Sequence, residues 1–454
     1  MTLRLGSGAK WQGGSVPNPP TVWDGTYDGT ANGPMNILTN GGSTYSPRLQ
    51  STTSSNVFAV FYQTGQNIYA STITISNRTT TSYANQTTVA TPSQTSGLNV
   101  NTIADNTYLL TWCEAITSVG GLLRYTDQKA MIVTWTGSSF SSGTTNSITL
   151  SGPSSSVTGI DKEYIVSVPT NDAGTQGLFF FTDDNGSTAS TSYSFPMAQG
   201  WTRSGNTITL QGSAIRFTTN ANARSSYADS GMRVPGTDNA ILLAPADNND
   251  YMNFYQASFN GTSIDANSGF GGSVVTSDPM AIAYTAGLVK GLTGPNGNIY
   301  VAAKHFGDEN DASASHGPRL YTATVDTTGS SIAFSNLTEH TDGTSGSGSA
   351  ATSYNGGISV IDLGGTGKYL MTGARVGIDT AEIHIWEHVS DTDYNRPATI
   401  SIPASGMGAN YSFRLGSSNF NFIRTAENNV LFVFGANNTD NSLDGIGAMV
   451  LAMQ

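Results

Sequence analysis

The sequence predicts an all-β fold of seven repeated antiparallel units, each of four strands, joined end to end in a ring. Three observations predict it. Seven short apolar runs each follow a small polar turn. Two further strand patterns recur between those runs. The chain also ends one strand short, while a strand of the missing kind stands spare near the N-terminus.

The seven runs are "VFAVF" after Asn56, "TYLLTW" after Asn106, "GLFFF" after Gln176, "AILLAPA" after Asn239, "IYVAA" after Asn298, "YLMTG" after Lys368 and "VLFVF" after Asn429. They recur at intervals of about 50 to 70 residues, longer than the roughly 40–50 of the best-known blade repeats, which leaves room for longer loops. Each run is apolar on consecutive residues, as a strand buried on both faces reads. β-branched and aromatic residues dominate and the runs are short, which excludes helices. Each tight turn before a run supplies the polar residues of a hairpin.

Third strands follow as "NIYASTITI", "KAMIVTW", "STSYSF", "MNFYQASF", "RLYTATV", "AEIHIWEH" and "IGAMVLAM". Fourth strands follow as "QTTVAT", "NSITLSG", "NTITLQG", "GGSVVTS", "SIAFSNL" and "PATISIP". The seventh unit has none, because the chain stops at Gln454. The spare strand is "MNILTNGG", starting at Met35, which looks like "NSITLSG" and "NTITLQG". An N-terminal strand paired with the last unit would leave no open sheet edge. This pattern resembles the strand-swapped closure of the β-propeller superfamily over residues 34–454. It implies a seven-bladed β-propeller of four-stranded antiparallel blades, closed by the strand at Met35–Asn40. A linear β-solenoid or stacked sandwiches would account for the repeats but not for the strand count. Residues 1–33, rich in Gly and Pro and carrying Trp11 and Trp23, are expected to form a separate docking arm.

Composition narrows the functional classes. Charged residues make up 11% of the 454 and the net charge is −12, against roughly 25% charged residues in ordinary domains. The 19 Lys and Arg are spread thinly, so no basic patch neutralises phosphates and nucleic-acid binding is not expected. No stretch approaches the length of a membrane span, and the N-terminus has no apolar signal region. The single Cys113 lies in an apolar run and is expected to pack as a small hydrophobe.

If the blades follow the superfamily, one face carries the connections between second and third strands and those between blades. That face would hold Asp184, Asp250 and Asp308, and the densest acidic set is Asp308, Glu309 and Asp311. Two readings stay open: an acidic rim that binds sugar hydroxyls or calcium, or Asp and Asn stabilising their own turns. No cofactor is otherwise implied. Tyr45, Tyr164, Tyr227, Tyr284, Tyr354 and Tyr411 recur at the starts of first strands. They suit sugar or protein contacts, or simple packing at the blade tops. "TDDNGST" partly resembles the Asp-containing turn of sialidase-like propellers, with Ala189 where the family has an aromatic residue. That resemblance would assign Arg48, Arg233 and Arg414 to carboxylate binding and Tyr164 with Glu163 to nucleophile and base. His384 and His388 share a strand face but stand roughly 13 Å apart, too far for one metal, and are expected to be exposed.

Low charge with abundant Gly, Ser, Thr and Asn resembles the composition of tailed-phage virion proteins such as tail fibres and adhesins. The expectation is a non-enzymatic structural or adhesion protein, displayed on a virion assembled in the host cytoplasm. It would contact other virion proteins through residues 1–33, belong to an oligomeric assembly, and face a host glycan or receptor. The alternative is an extracellular carbohydrate-binding or sialidase-like glycoside hydrolase propeller.

Overall fold

The fold is all-β. The computed structural model describes residues 4–5, 9–10, 36–39, 44–76, 80–93, 95–119, 122–150, 165–184, 194–217, 231–234, 236–245, 251–266, 272–275, 289–293, 299–306, 315–326, 333–334, 338–340, 358–363, 367–376, 380–390, 393–407, 411–413, 420–425, 429–438 and 444–451. Near the N-terminus, β1 (Arg4–Leu5) pairs with β2 (Ala9–Lys10). The rest of the arm, with Trp11 and Trp23, lies outside the described residues. Next comes β3 (Asn36–Thr39).

Sheet 1 runs β4 (Thr44–Ser51), β5 (Val57–Thr64), β6 (Asn67–Ser76) and β7 (Thr80–Ala90), in chain order and antiparallel throughout. Sheet 2 contains β8 (Ser96–Ala104) and β9 (Thr107–Cys113). A separate hairpin of β10 (Ile116–Val119) and β11 (Leu122–Tyr125) is inserted before the sheet resumes at β12 (Gln128–Trp135). Two short outer pieces, β13 (Phe140–Ser142) and β14 (Asn146–Ile148), pair with β12. Sheet 3 comprises β15 (Val166–Pro169), β16 (Gln176–Asp184), β17 (Ser194–Ser204) and β18 (Thr207–Arg216). Sheet 4 has β19 (Gly231–Arg233), β20 (Asn239–Pro245) and β21 (Tyr251–Phe259), edged by β22 (Ile264–Ala266) and β23 (Gly272–Val275).

Sheet 5 has β24 (Val289–Thr293), β25 (Ile299–Phe306) and β26 (Ser315–Ala323). A small pair, β27 (Val325–Asp326) with β28 (Ala333–Phe334), precedes its outer strand β29 (Thr338–His340). Sheet 6 has β30 (Ile358–Asp362), β31 (Tyr369–Val376), β32 (Thr380–Ser390) and β33 (Asp393–Pro403), followed by a 3-10 turn at Ala404–Met407. In sheet 7, β34 (Tyr411–Phe413) and β35 (Phe420–Arg424) both pair with β36 (Val430–Asn438), and β36 pairs with β37 (Gly445–Leu451). The outer position of sheet 7 is taken by β3, with Asn36 opposite Ala448 and Thr39 opposite Gly445.

Two strand expectations move. The third strand of sheet 3 is not "STSYSF" but runs on through Pro196 and Gly200 to Ser204. Pro196 stands opposite Thr182 on β16, and Gly200 leaves no room for a side chain because the Phe259 ring of sheet 4 already occupies it. In sheet 5, Ala333–Phe334 pairs with β27, and the outer contact on β26 is made by β29.

The second strands are buried on both faces, as their consecutive apolar residues predict. In β5 the interior residues alternate between two layers. Ala59 and Phe61 pack toward sheet 2, and Phe58, Val60 and Tyr62 pack toward sheet 7. Comparable apolar layers lie between sheets 2 and 3, 3 and 4, and 6 and 7. β3 takes part in two of them, with Ile37 packed toward sheet 6 and Leu38 toward sheet 1. The first strands lie side by side in the order β4, β8, β15, β19, β24, β30, β35, and β35 lies against β4.

Side chains stitch adjacent sheets through backbone carbonyls. Arg48 Nε donates to Leu98 O at 3.0 Å and Gln50 Nε2 to Val100 O at 3.0 Å. Asn421 Nδ2 donates to Pro47 O at 2.9 Å, and Thr111 Oγ1 to Ile165 O at 2.8 Å. The turn residue Asn106 adopts φ 53°, a left-handed conformation that Asn tolerates better than most residues. Its side chain reaches the turn of sheet 1, accepting from Thr53 N and donating to Thr53 Oγ1, both at 2.8 Å. Gly174 has φ 62° and sits so close to Ile103 O that a Cβ would collide with it.

Two outcomes are expected. Gly174→Ala combines a left-handed backbone with a clash against a carbonyl, so it should destabilise by about 2 kcal/mol in denaturant melts. Deleting residues 1–42 should lower the melting temperature by more than about 5 °C, whereas deleting residues 1–31 should leave it nearly unchanged.

Candidate functional site

Strand direction places the ends of second strands, the starts of third strands and the ends of fourth strands at one edge of every sheet. At that edge of sheets 2 and 3 the structure gathers three charged side chains that the sequence reading did not single out. Asp183, next to last in β16, is fully buried. Its Oδ1 accepts from Arg124 Nη1 at 3.1 Å, and its Oδ2 lies 3.7 Å from Arg216 Nη2. Arg124 is buried at 3% exposure, whereas the Arg216 side chain keeps 20%. The Arg216 guanidinium stacks 3.6 Å over the centre of the Phe195 ring, a cation–π contact.

Each residue reaches this point by a local cause. Arg124 stands on β11, opposite Thr117 of β10. Backbone bonds anchor that hairpin at its base, Glu114 N to Asp127 O at 2.8 Å and Thr126 N to Ala115 O at 3.0 Å. Gln128 completes the anchor, its amide donating to Tyr125 O and its Oε1 accepting from Leu150 N at 2.9 Å. Trp112 Nε1 donates to Glu114 Oε1 at 2.9 Å, and Lys129 pairs with Asp127 at 2.7 Å. Asp183 and Phe195 face each other across β16 and β17. Arg216 ends β18 opposite Met197.

Two guanidinium groups on one carboxylate leave a local net charge of +1 in a chain of net charge −12. The Arg216 side chain is partly exposed, and a guanidinium held in a fixed plane is a group suited to oxygen-rich ligands. Ile116, 44% exposed, adds an apolar surface on the neighbouring hairpin.

The residues expected from sequence are placed as follows. Asp184 ends β16 opposite Ser194, beside the cluster. Tyr45 lies in β4 opposite Gln63. Tyr411 opens β34 opposite Asn438, half-buried against the apolar layer between sheets 6 and 7. Tyr164, Tyr227, Tyr284, Tyr354, Asp250, Asp308, Glu309, Asp311, Glu163 and Arg414 lie outside the described residues.

The sialidase-like arginines do not converge where they are described. Arg48 is buried at 4% exposure between sheets 1 and 2, its Nε spent on Leu98 O. Arg233 is at the opposite edge, donating to Asp172 at 2.5 Å and to Thr237 O at 3.1 Å. His384 is not exposed: it is buried at 2% exposure and 2.5 Å from Glu382 Oε1. Cys113 is buried in the apolar layer between sheets 2 and 3.

The sequence signal for the missed cluster was a charged residue inside an otherwise apolar strand, as Arg124 is in "LLRY". Such residues are almost never buried without a partner.

No family model matches the chain, and no curated protein does. Among solved structures it is similar to the polysaccharide lyase Uly1, at 9% identity and TM-score 0.47, covering 89% of each chain. It is also similar to the α-L-arabinanase of Penicillium chrysogenum complexed with arabinobiose, at 10% identity and TM-score 0.37, covering 79% of this chain and 93% of that one. A third similarity is to the sialidase of Trypanosoma rangeli with the inhibitor DANA, at 8% identity and TM-score 0.39, covering 82% of this chain and 58% of that one. At these values no residue role transfers. The expectation that the chain is not an enzyme is corrected here, because these structures are a lyase, an arabinanase and a sialidase.

Removing the central carboxylate should leave the buried Arg124 facing the partly exposed Arg216 with no counter-charge between them. Asp183→Ala should therefore cost about 3 kcal/mol in chemical denaturation, and Asp183→Asn, which keeps an acceptor, less.

Proposed function

We propose that the seven sheets form a closed seven-bladed β-propeller, with β3 as the outer strand of the last blade, which engages carbohydrate at the edge carrying Arg124, Asp183 and Arg216. The cyclic order of first strands, with β35 against β4, supports the closure, as does the β3–β37 pairing. The observation that carries the carbohydrate reading is Arg216. It is partly exposed, stacked on Phe195 and anchored by a buried carboxylate. Sugar recognition uses planar polar donors held in a fixed orientation, and Arg216, stacked on the buried Phe195, is such a group. Asp183 and Arg124 act as positioning residues, because they hold the Arg216 guanidinium without needing to rearrange when a ligand arrives. Both settings expected from composition, a virion surface and the extracellular space, expose such an edge to surface glycans.

The test is a glycan array followed by turnover assays on the saccharides retained, including carboxylated and neutral ones. Arg216→Ala should weaken binding at least about tenfold. Arg233→Ala, at the opposite edge, should leave binding unchanged. Turnover of a retained glycan would identify an enzyme, and retention without turnover a binding protein. Equal binding by wild type and Arg216→Ala, or no retained glycan at all, would overturn the site.

A further inference from the structure

All five histidines, at positions 305, 316, 340, 384 and 388, fall within the stretch that builds sheets 5 and 6. The side chains of three are described, and these three line the seam between the two sheets. On β32, Glu382, His384, Trp386 and His388 alternate with Ala381, Ile383 and Ile385, which pack toward sheet 7. The first set therefore faces sheet 5, where Trp386 joins Tyr300 and Leu320 in one apolar group with Leu370 and Tyr394.

Tyr394 is at the centre. Its ring lies 5.0 Å from the His340 ring of sheet 5 and 5.0 Å from the His388 ring of its own sheet. Its hydroxyl donates to Gly367 O at 2.8 Å, and the Tyr300 ring meets it edge-on at 6.4 Å. His340 is buried at 3% exposure and lies 2.7 Å from Thr322 Oγ1 through its Nε2. One contact between the sheets thus rests on an aromatic ring flanked by two imidazoles.

We infer that the seam between sheets 5 and 6 is an acid-sensitive joint, which opens locally when His340 takes up a proton while the other sheet contacts hold. A neutral imidazole packs on an aromatic edge without cost. An imidazolium in the same place loses its hydration.

The charged groups around the seam offer little relief. Asp393, on β33, attracts the His340 charge but is exposed. Asp362, on β30, is buried and already accepts from Gly367 N at 2.8 Å. Glu382 is engaged by His384, and Glu387 accepts from the Tyr369 hydroxyl at 2.8 Å. The Lys368 ammonium lies 5.1 Å over the Tyr369 ring, and its carbonyl accepts from His388 N at 2.8 Å.

Burial pushes His340 down from 6.5 to about 4, with Asp393 opposing and His388 reinforcing the shift. The sign follows from that depression. Above the ordinary histidine value both closed and open forms are neutral and the seam is at full strength. As the pH falls from that value toward 4, the open form takes a proton that the closed form refuses, and the seam weakens.

The test is hydrogen exchange on the full chain at about pH 7.5 and about pH 5, each corrected for intrinsic exchange rate. Peptides from β29, β32 and β33 should exchange roughly thirtyfold faster at the lower pH. Peptides from β5, β9 and β16 should not change. The His340→Gln variant should lose the pH effect. If that variant does not fold, His388→Gln, which removes the neighbour that reinforces the His340 depression, should reduce it. Unchanged protection at both pH values, the wild-type acceleration persisting in the variants, or acceleration shared equally by all sheets would each overturn the inference.

Discussion

A sheet buried on both faces is stable only with a neighbour on each side, and that requirement makes the β3–β37 contact the one on which the other layers depend. Ile37 and Leu38 point to opposite sides of β3, one into the layer shared by sheets 6 and 7 and one into the layer shared by sheets 7 and 1. Four residues from one end of the chain thereby complete two layers on either side of the sheet built from the other end. The Tyr83 hydroxyl, donating to Ile446 O at 2.9 Å, adds a polar tie from sheet 1 to β37 at the same place. Unpaired strand edges and half-covered apolar faces are costly together. A single short strand resolves both.

The polar groups of the first strands meet a related constraint. Near the centre of such an arrangement the strands crowd, and a buried donor without an acceptor costs more than a packed methyl group gains. Arg48, Gln50 and Asn421 answer this by donating to carbonyls of the adjacent sheet. The same side chains that look available for ligands in the sequence are therefore consumed in holding sheets together. Arg48 illustrates the point: a family resemblance offers it as a carboxylate clamp, while the structure uses its Nε between sheets 1 and 2.

The layers also differ in chemistry, and the difference shapes function. Sheets 1, 2, 3 and 7 meet through broad apolar faces, with an aromatic pair of Phe61 and Tyr108 between sheets 1 and 2. Sheets 5 and 6 meet through tyrosine, tryptophan and histidine. Charge is likewise concentrated: the Arg124, Asp183 and Arg216 group forms where an inserted hairpin leans on the next sheet. Stable apolar layers leave room for polar and titratable groups at a few joints, where binding and response to conditions become chemically feasible.

Much of the architecture was legible from sequence. Runs such as "VFAVF" and "VLFVF" identify doubly buried strands by consecutive apolar residues, and the missing last strand pointed to "MNILTNGG". The readings that failed were of two kinds. Extended strands interrupted by Pro196 and Gly200 look like loops until the Phe259 ring explains the glycine. Polar residues were assigned by motif or by turn position, which made Arg233 a candidate and passed over Arg124, Asp183 and Arg216. The sequence by itself determined strand type and order, because burial on one or two faces leaves a local periodicity. Tertiary structure alone decided which charges meet. Asp183 and Arg124 are separated by 59 residues, and their contact depends on where an inserted hairpin falls against the next sheet, a geometry that no local pattern records.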